Sequence, residues 1–81
     1  MRLKNGCEIE LYFYKKVDYE GNDKWLKVAH YSVVEIEDDF ITETLFQSVS
    51  KNDCIAYMNN IYIANGITIQ RSSLYKKYKD L

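Results

Sequence analysis

Two stretches with strand-like patterning, joined by a glycine-asparagine pair, limit this chain to folds that contain a β-hairpin. Between residues 7 and 17, one face would carry Ile9, Leu11, Phe13 and Lys15 and the other Glu8, Glu10, Tyr12 and Tyr14, which is the two-residue period of a half-buried strand. A second β-rich run spans residues 24–37. Between the two runs, Gly21 and Asn22 both tolerate the positive φ of a tight turn. The sequence therefore predicts an antiparallel hairpin.

A two-residue turn at Gly21-Asn22 predicts which residues of the hairpin face one another. Phe13 then lies opposite His30, and Leu11 lies opposite Ser32. One face carries Ile9, Leu11, Phe13, Val17, Leu26, Val28 and Val34, and the other carries Tyr12, Tyr14, Trp25, Tyr31 and Val33. A pairing shifted by one residue would instead place Tyr31 and Val33 beside Leu11 and Phe13. The first register is preferred because it gathers more aliphatic side chains on one face.

The middle of the chain contains a turn signal, followed by a segment whose pattern fits either a strand or a helix. Asp38-Asp39 is typical of a turn or of a helix start. Residues 40–49 fit a third strand by alternation and a helix by the spacing of their aliphatic residues; the strand is preferred. Ser50 followed by Asp53 is a capping pattern, which predicts a helix from about 51 to 65 that ends at Gly66.

The predicted helix places its apolar side chains on one stripe: Cys54, Ile55, Met58, Ile61 and Tyr62. Residues 67–71 alternate again and predict a short strand that returns to the sheet. Ser72-Ser73 then begins either a short C-terminal helix or a loose tail.

The whole chain, 1–81, is thus predicted to be one domain with loosely ordered ends at 1–6 and 72–81. Its predicted fold class is α+β, a small two-layer domain whose antiparallel sheet of three to four strands (β-β-(β)-α-β) is covered on one face by a helix.

Charge and hydropathy exclude several classes of protein. The net charge is −1, from 11 basic and 12 acidic residues, so a strongly basic nucleic-acid binder is not expected. Polar residues interrupt the longest uncharged stretch, residues 54–70, and the first ten positions do not resemble a secretion signal. A cytoplasmic protein with no membrane association and with reduced cysteines is the prediction.

Aromatic content is the strongest functional signal. Eight tyrosines, one tryptophan and three phenylalanines exceed what the core of an 81-residue domain can enclose. Tyrosine offers a large contact area with few torsions to immobilise. The predicted protein-binding surface is therefore the sheet face that carries Tyr12, Tyr14, Trp25 and Tyr31.

The C-terminal segment supports an alternative function. Arg71, Lys76, Lys77 and Lys79 are interleaved with tyrosines, a composition that suits phosphate contacts and base stacking. The competing interpretation is a docking helix with a solvated lysine side. Nucleic acid is therefore the less favoured partner.

No enzymatic, metal or cofactor site is predicted. The acidic cluster Glu35, Glu37, Asp38 and Asp39 lacks the glycine and closing glutamate of a calcium loop, although it could meet a basic partner. A nucleophile at Cys54 would gain thiolate character at the helix start, and it would need His30, the single histidine, as its base. Two cysteines and one histidine at these separations do not make a zinc site.

The sequence thus predicts a small non-enzymatic protein-binding module. Its partner would be another protein or a second copy of the chain, and an accessory or phage-encoded inhibitor of a host protein or complex would fit. The abundance of lysine, asparagine, isoleucine and tyrosine is typical of an AT-rich genome.

Overall fold

The computed structural model describes residues 2–15 and 28–81, and within them it shows one antiparallel sheet and two helices. The elements follow in the order β1 (Glu8–Tyr14), β2 (His30–Glu37), β3 (Phe40–Ser48), α1 (Lys51–Ala64) and α2 (Arg71–Lys77). β2 is the central strand and pairs with β1 on one side and with β3 on the other. A small α+β domain is confirmed, and so is the strand interpretation of residues 40–49.

β2 and β3 are joined by the tight turn that Asp38-Asp39 predicted. Both aspartates have positive φ, 50° for Asp38 and 68° for Asp39, and Glu37 pairs directly with Phe40. Positive φ at both central residues is the backbone of a type I′ turn, whose twist matches that of the flanking strands. Aspartate tolerates this conformation better than most residues, but glycine adopts it at lower cost.

Replacement of Asp39 by glycine is expected to stabilise the fold. Glycine removes a Cβ that crowds the backbone at positive φ, a gain of about 1 kcal/mol, and urea unfolding followed by circular dichroism measures it. The matched control is Asp39→Ala, which removes the same charge but keeps the Cβ. An equal gain in both variants would show that charge repulsion, not backbone conformation, is the cause.

The predicted register of the β1–β2 pair is wrong by one residue. Phe13 pairs with Tyr31 and Leu11 pairs with Val33, which is the shifted alternative. The cause is that β2 is buried on both faces, because the consecutive Val33 and Val34 are both fully buried. When both faces of a strand are buried, apolar residues occupy both, so polar-apolar alternation in the sequence does not show which face packs against the helix.

The two ends of α1 follow the capping signals in the sequence. The Ser50 Oγ accepts a hydrogen bond from the Asp53 backbone N–H at 3.3 Å, as predicted. At the other end Gly66 has a φ of 72°, its N–H donates to the Ile63 carbonyl, and the Ile67 N–H donates to the Tyr62 carbonyl. This pair of bonds is a Schellman motif, which satisfies carbonyls that the helix leaves without partners.

The strand predicted at residues 67–71 is wrong, since residues 67–70 are irregular and Arg71 begins α2. Ile67 and Ile69 alternate because they pack against the core, not because they join the sheet. The Asn59 Nδ2 donates to the Ile69 carbonyl at 3.0 Å, so this carbonyl has a side-chain partner rather than a strand partner. The cap predicted at Ser72-Ser73 is also wrong, because Gln70 is the residue that precedes α2.

The core lies between α1 and the sheet. Cys54, Ile55 and Met58 of α1 are fully buried, and they cluster with side chains from both ends of the described chain. The other buried members of this cluster are Leu3, Ile9, Leu11, Val33, Tyr62, Leu74 and Tyr78. Leu3 and Tyr78 belong to the segments that the sequence left as loose ends. In the described residues, no helix is long and apolar enough to span a membrane.

Several predictions concern residues outside the described ranges. These are the turn at Gly21-Asn22 and the positions of Val17, Trp25 and Leu26.

Candidate protein-binding surfaces

Four aromatic side chains meet where β1 ends and β2 begins, and we call them the aromatic end: Tyr12, Phe13, Tyr14 and Tyr31. The first three are consecutive on β1, and Tyr31 pairs with Phe13 across the strands. Because successive side chains of a strand point to opposite faces, Tyr12 and Tyr14 share one face while Phe13 and Tyr31 share the other. The aromatic end therefore wraps both faces of the sheet.

This arrangement corrects the predicted single-faced tyrosine surface. Tyr12 and Tyr14 lie on the face away from α1, as predicted. Tyr31 lies on the α1 side, where it packs against the core and its backbone carbonyl lies 3.7 Å from the Cys54 Sγ. The one-residue change in register moves Tyr31 across the sheet.

The rings of the aromatic end pack on one another and remain partly in water. Tyr12 is 38% exposed and Phe13 is 39% exposed. The Phe13 and Tyr31 ring centroids lie 4.9 Å apart, and the Tyr31 hydroxyl donates to the Leu81 carbonyl at 3.4 Å. On the opposite face Tyr14 stacks on the buried His30, with 5.5 Å between centroids. Neighbouring rings thus hold the two exposed ones in place.

α2 carries the predicted basic segment on its surface. Arg71, Lys76, Lys77 and Lys79 are all exposed. However, the Lys77 Nζ lies 3.6 Å from the Glu10 Oε1 and 5.3 Å from the centroid of the Tyr78 ring. One of the four cations, Lys77, therefore already has an ion-pair partner within the chain.

Tyr78 connects α2 to β1 through a contact that the sequence does not reveal. Its hydroxyl donates to the Glu10 Oε2 at 2.7 Å, across 68 positions of the chain. Burial raises the pKa of Tyr78 first, and the hydrogen bond and negative charge of Glu10 raise it further. Since Tyr78 is buried, it cannot stack on a base, and of the tyrosines in this segment Tyr75 is the one that is exposed.

The second exposed surface is the outer part of the β2–β3 hairpin, residues 35–43, which we call the hairpin arm. Every residue from 37 to 44 is exposed, so neither face of this part of β3 is covered. Phe40 is 75% exposed and the next residue, Ile41, is 46% exposed. Ile41 pairs across the strands with the half-buried Ile36. The hairpin arm thus presents apolar side chains on both faces of its tip.

The hairpin arm is also the most acidic part of the described chain. It carries five carboxylates: Glu35, Glu37, Asp38, Asp39 and Glu43. A shallow depression beside the turn is lined by Asp38, Asp39, Glu37 and the facing Arg2 and Glu8. Among the described residues, no group of three or more His, Cys, Asp or Glu side chains is placed to hold a metal ion.

The two cysteines are buried next to these surfaces, and the Cys7 Sγ lies 3.9 Å from the Glu37 Oε2 of the hairpin arm. Burial, and to a lesser extent Asp53, raises the pKa of the Cys54 thiol to about 11, the opposite of the lowered value that a helix start suggested. Burial and the nearby Glu35 and Glu37 raise the pKa of the Cys7 thiol. Cys54 and Cys7 are both free thiols.

His30 and Cys54 do not form the pair that a thiol mechanism would need. The His30 Nδ1 lies 2.8 Å from the Val28 carbonyl, and its Nε2 lies 3.5 Å from the Gln47 Nε2. The Cys54 Sγ is directed at the Tyr31 carbonyl. Their hydrogen-bond partners are therefore different groups.

No family model, no curated protein and no solved structure matches this chain. The functional assignment accordingly rests on the surfaces themselves.

The hairpin arm is the surface that sequence reasoning missed. The sequence shows its carboxylates as a cluster. For Phe40 and Ile41, however, the sequence predicts only a place in a strand. A signal was available, because Phe40 directly follows the Asp38-Asp39 turn. A residue beside a tight turn at the far end of a hairpin is poorly placed to reach the core.

Proposed function

We propose that this chain is a small non-enzymatic protein-binding module that contacts its partner through the aromatic end. The observation that carries the proposal is the exposure of Tyr12 and Phe13, consecutive residues whose rings lie on opposite faces of the sheet and each keep more than a third of their surface in water. A domain of this size has little apolar surface to bury, so two aromatic rings left outside its core lower its stability. Rings of this kind are the residues that dominate binding energy at protein interfaces.

The packing of the aromatic end also suits binding. Phe13 is supported by Tyr31, and Tyr12 has the Tyr14 ring 6.4 Å away. A ring that neighbours already hold in place loses little conformational entropy when a partner covers it. The partner is another protein, as for an accessory inhibitor of a host protein or complex, or a second copy of this chain.

Replacement of Tyr12 or Phe13 by serine is expected to weaken partner binding at least about 30-fold, the equivalent of roughly 2 kcal/mol for an aromatic anchor. Proteins retained by the tagged chain from a lysate of its source cells are compared between variants by mass spectrometry, and light scattering after size exclusion reports self-association. Ile63→Ser is the matched control, because Ile63 is a 60% exposed apolar residue on α1.

The expected result is a partner, or a dimer, that the wild type and Ile63→Ser retain and that both aromatic variants lose. Circular dichroism checks that all variants fold. If the aromatic variants keep every partner that the wild type binds, the aromatic end is not the binding surface.

The alternative is a nucleic-acid-binding regulator that uses Arg71, Lys76, Lys77 and Lys79. Its support is the exposure of these four cations on or beside one short helix. It is weaker than the first proposal because Lys77 is paired with Glu10 and Tyr78 is buried. Binding of a labelled single-stranded oligonucleotide that falls steeply with added salt, and that is lost when the lysines become glutamine, would favour it.

A further inference from the structure

The hairpin arm has an apolar tip that serves no purpose within the described fold. Phe40 is three-quarters exposed and pairs across the turn with the charged Glu37. It does not belong to the core cluster or to the apolar side chains packed against it. Burial of the rest of the ring would therefore release most of the roughly 2 kcal/mol that full burial of a phenyl side chain provides.

Phe40 is not an isolated exposed residue. Ile41 follows it on the strand and points to the opposite face of the hairpin, where it pairs with Ile36. Scattered apolar residues are normal on a protein surface, whereas a contiguous group at a protruding tip marks a contact site. The tip offers Phe40 as a large anchor on one face and the Ile36–Ile41 pair on the other, so a pocket that receives the tip can contact both faces.

Charge around the tip decides which kind of partner can receive it. From Tyr31 to Ser50 the chain contains five carboxylates and no lysine or arginine. In the described part of the chain, these carboxylates make no ion pair. The Glu35 Oε1 accepts a hydrogen bond from the Thr42 Oγ1 at 3.2 Å, so its polar partner is an uncharged hydroxyl.

A surface of this charge repels nucleic acid and anionic membranes, and it attracts cationic protein surfaces. The field of several carboxylates also speeds encounter with a basic partner, so the charge acts before the ring is buried.

We propose that the hairpin arm binds a basic protein surface that contains an apolar pocket, with Phe40 as the anchor that fills the pocket. This inference rests on the proposed protein-binding function, but it names a separate surface and the chemistry of the partner. The carboxylates supply orientation and rate, and Phe40, Ile36 and Ile41 supply the buried apolar area.

The test uses short synthetic peptides as probes with the full ¹⁵N-labelled chain. The first peptide alternates leucine with lysine, the second alternates serine with lysine, and the third alternates leucine with glutamate. We expect the leucine-lysine peptide to shift backbone amide resonances of residues 35–43. The other two peptides are expected to bind at least about tenfold more weakly, because each lacks one of the two required features.

Substitutions separate the role of the ring from that of the charge. Phe40→Ser is expected to weaken binding of the leucine-lysine peptide about tenfold or more, while the matched control Ile63→Ser leaves it unchanged. Glu43→Lys keeps the ring but weakens the salt-dependent part of the affinity. Because Phe40 and Glu43 are exposed, both variants should fold, and circular dichroism verifies this.

Three results with the peptides would overturn the inference. They are binding of the serine-lysine peptide as tight as that of the leucine-lysine peptide, which would show a contact by charge alone; wild-type affinity of Phe40→Ser for the leucine-lysine peptide; and resonance shifts outside residues 35–43. Self-association that Phe40→Ser abolishes would also overturn it, in favour of a second copy as the occupant. Tyr12→Ser should leave peptide binding intact, so failure at the aromatic end and failure at the hairpin arm are distinguishable.

Discussion

Ile55→Ala is expected to remove a large part of the stability of this domain. Ile55 is fully buried in α1 and belongs to the core cluster beneath the sheet. Truncation of a buried isoleucine to alanine costs about 2 to 5 kcal/mol, because apolar contact is lost and a cavity remains. A chain of this length has a free energy of unfolding of only about 4 to 12 kcal/mol, so the variant is expected to be marginally folded.

Thermal unfolding followed by circular dichroism measures the effect. A loss of about 3 kcal/mol corresponds to a melting temperature lower by roughly 12 to 24 °C in a domain of this size. Ile63→Ala is the matched control, since the same substitution on the exposed side of the same helix should change the melting temperature little. Equal losses in the two variants would contradict the placement of the core between α1 and the sheet.

Alkaline pH is expected to destabilise the fold through Tyr78. In the folded chain, burial and then Glu10 raise the pKa of Tyr78, while in the unfolded chain it returns to about 10. Above about pH 10 the unfolded state releases a proton that the folded state keeps, so the free energy of unfolding falls as pH rises. Below that pH the contribution is complete. Burial also raises the pKa of Tyr62, which acts in the same direction.

Tyr78→Phe isolates this contribution. At neutral pH the variant loses a hydrogen bond to a carboxylate, about 1.5 kcal/mol, a low value because Glu10 is partly exposed. Above about pH 10 its stability should fall less steeply than that of the wild type, because one buried tyrosine no longer titrates. Urea unfolding at a series of pH values measures both effects.

Tyr75→Phe is the control for the alkaline series, because Tyr75 is exposed on the same helix. It should follow the wild type at every pH. If Tyr78→Phe loses stability above pH 10 as steeply as the wild type, the contact between α2 and β1 does not control the alkaline transition.

Three local signals in the sequence are confirmed, each at a place where a few neighbouring residues decide the conformation, whereas the cap predicted at Ser72-Ser73 is not. The Ser50 cap, the Gly66 stop and the Asp38-Asp39 turn each involve hydrogen bonds or φ angles within a few positions of the chain. Such features depend little on the rest of the fold, and the helix from residue 51 was therefore placed to within one residue of its observed limits.

Features that depend on contacts between distant segments could not be predicted from the sequence in the same way. The register of β1 on β2 failed because Val33 and Val34 are both buried, which leaves alternation without a preferred face. The strand predicted at 67–71 is wrong because the alternation of Ile67 and Ile69 has another cause. Both side chains pack against the core from an irregular segment. The aromatic end was predicted in part, since Tyr12 and Tyr14 were placed together correctly while Tyr31 was assigned to the wrong face.

The sequence by itself determined the α+β class, the start and end of α1, the hairpin turn and the excess of aromatic rings. Tertiary structure alone decided that Tyr31 lies under the sheet, that Tyr78 reaches Glu10, and that Phe40 remains in water. The physical reason is the range of the interactions. Capping and turn geometry act between near neighbours, whereas the burial of a ring depends on which distant segments pack over it.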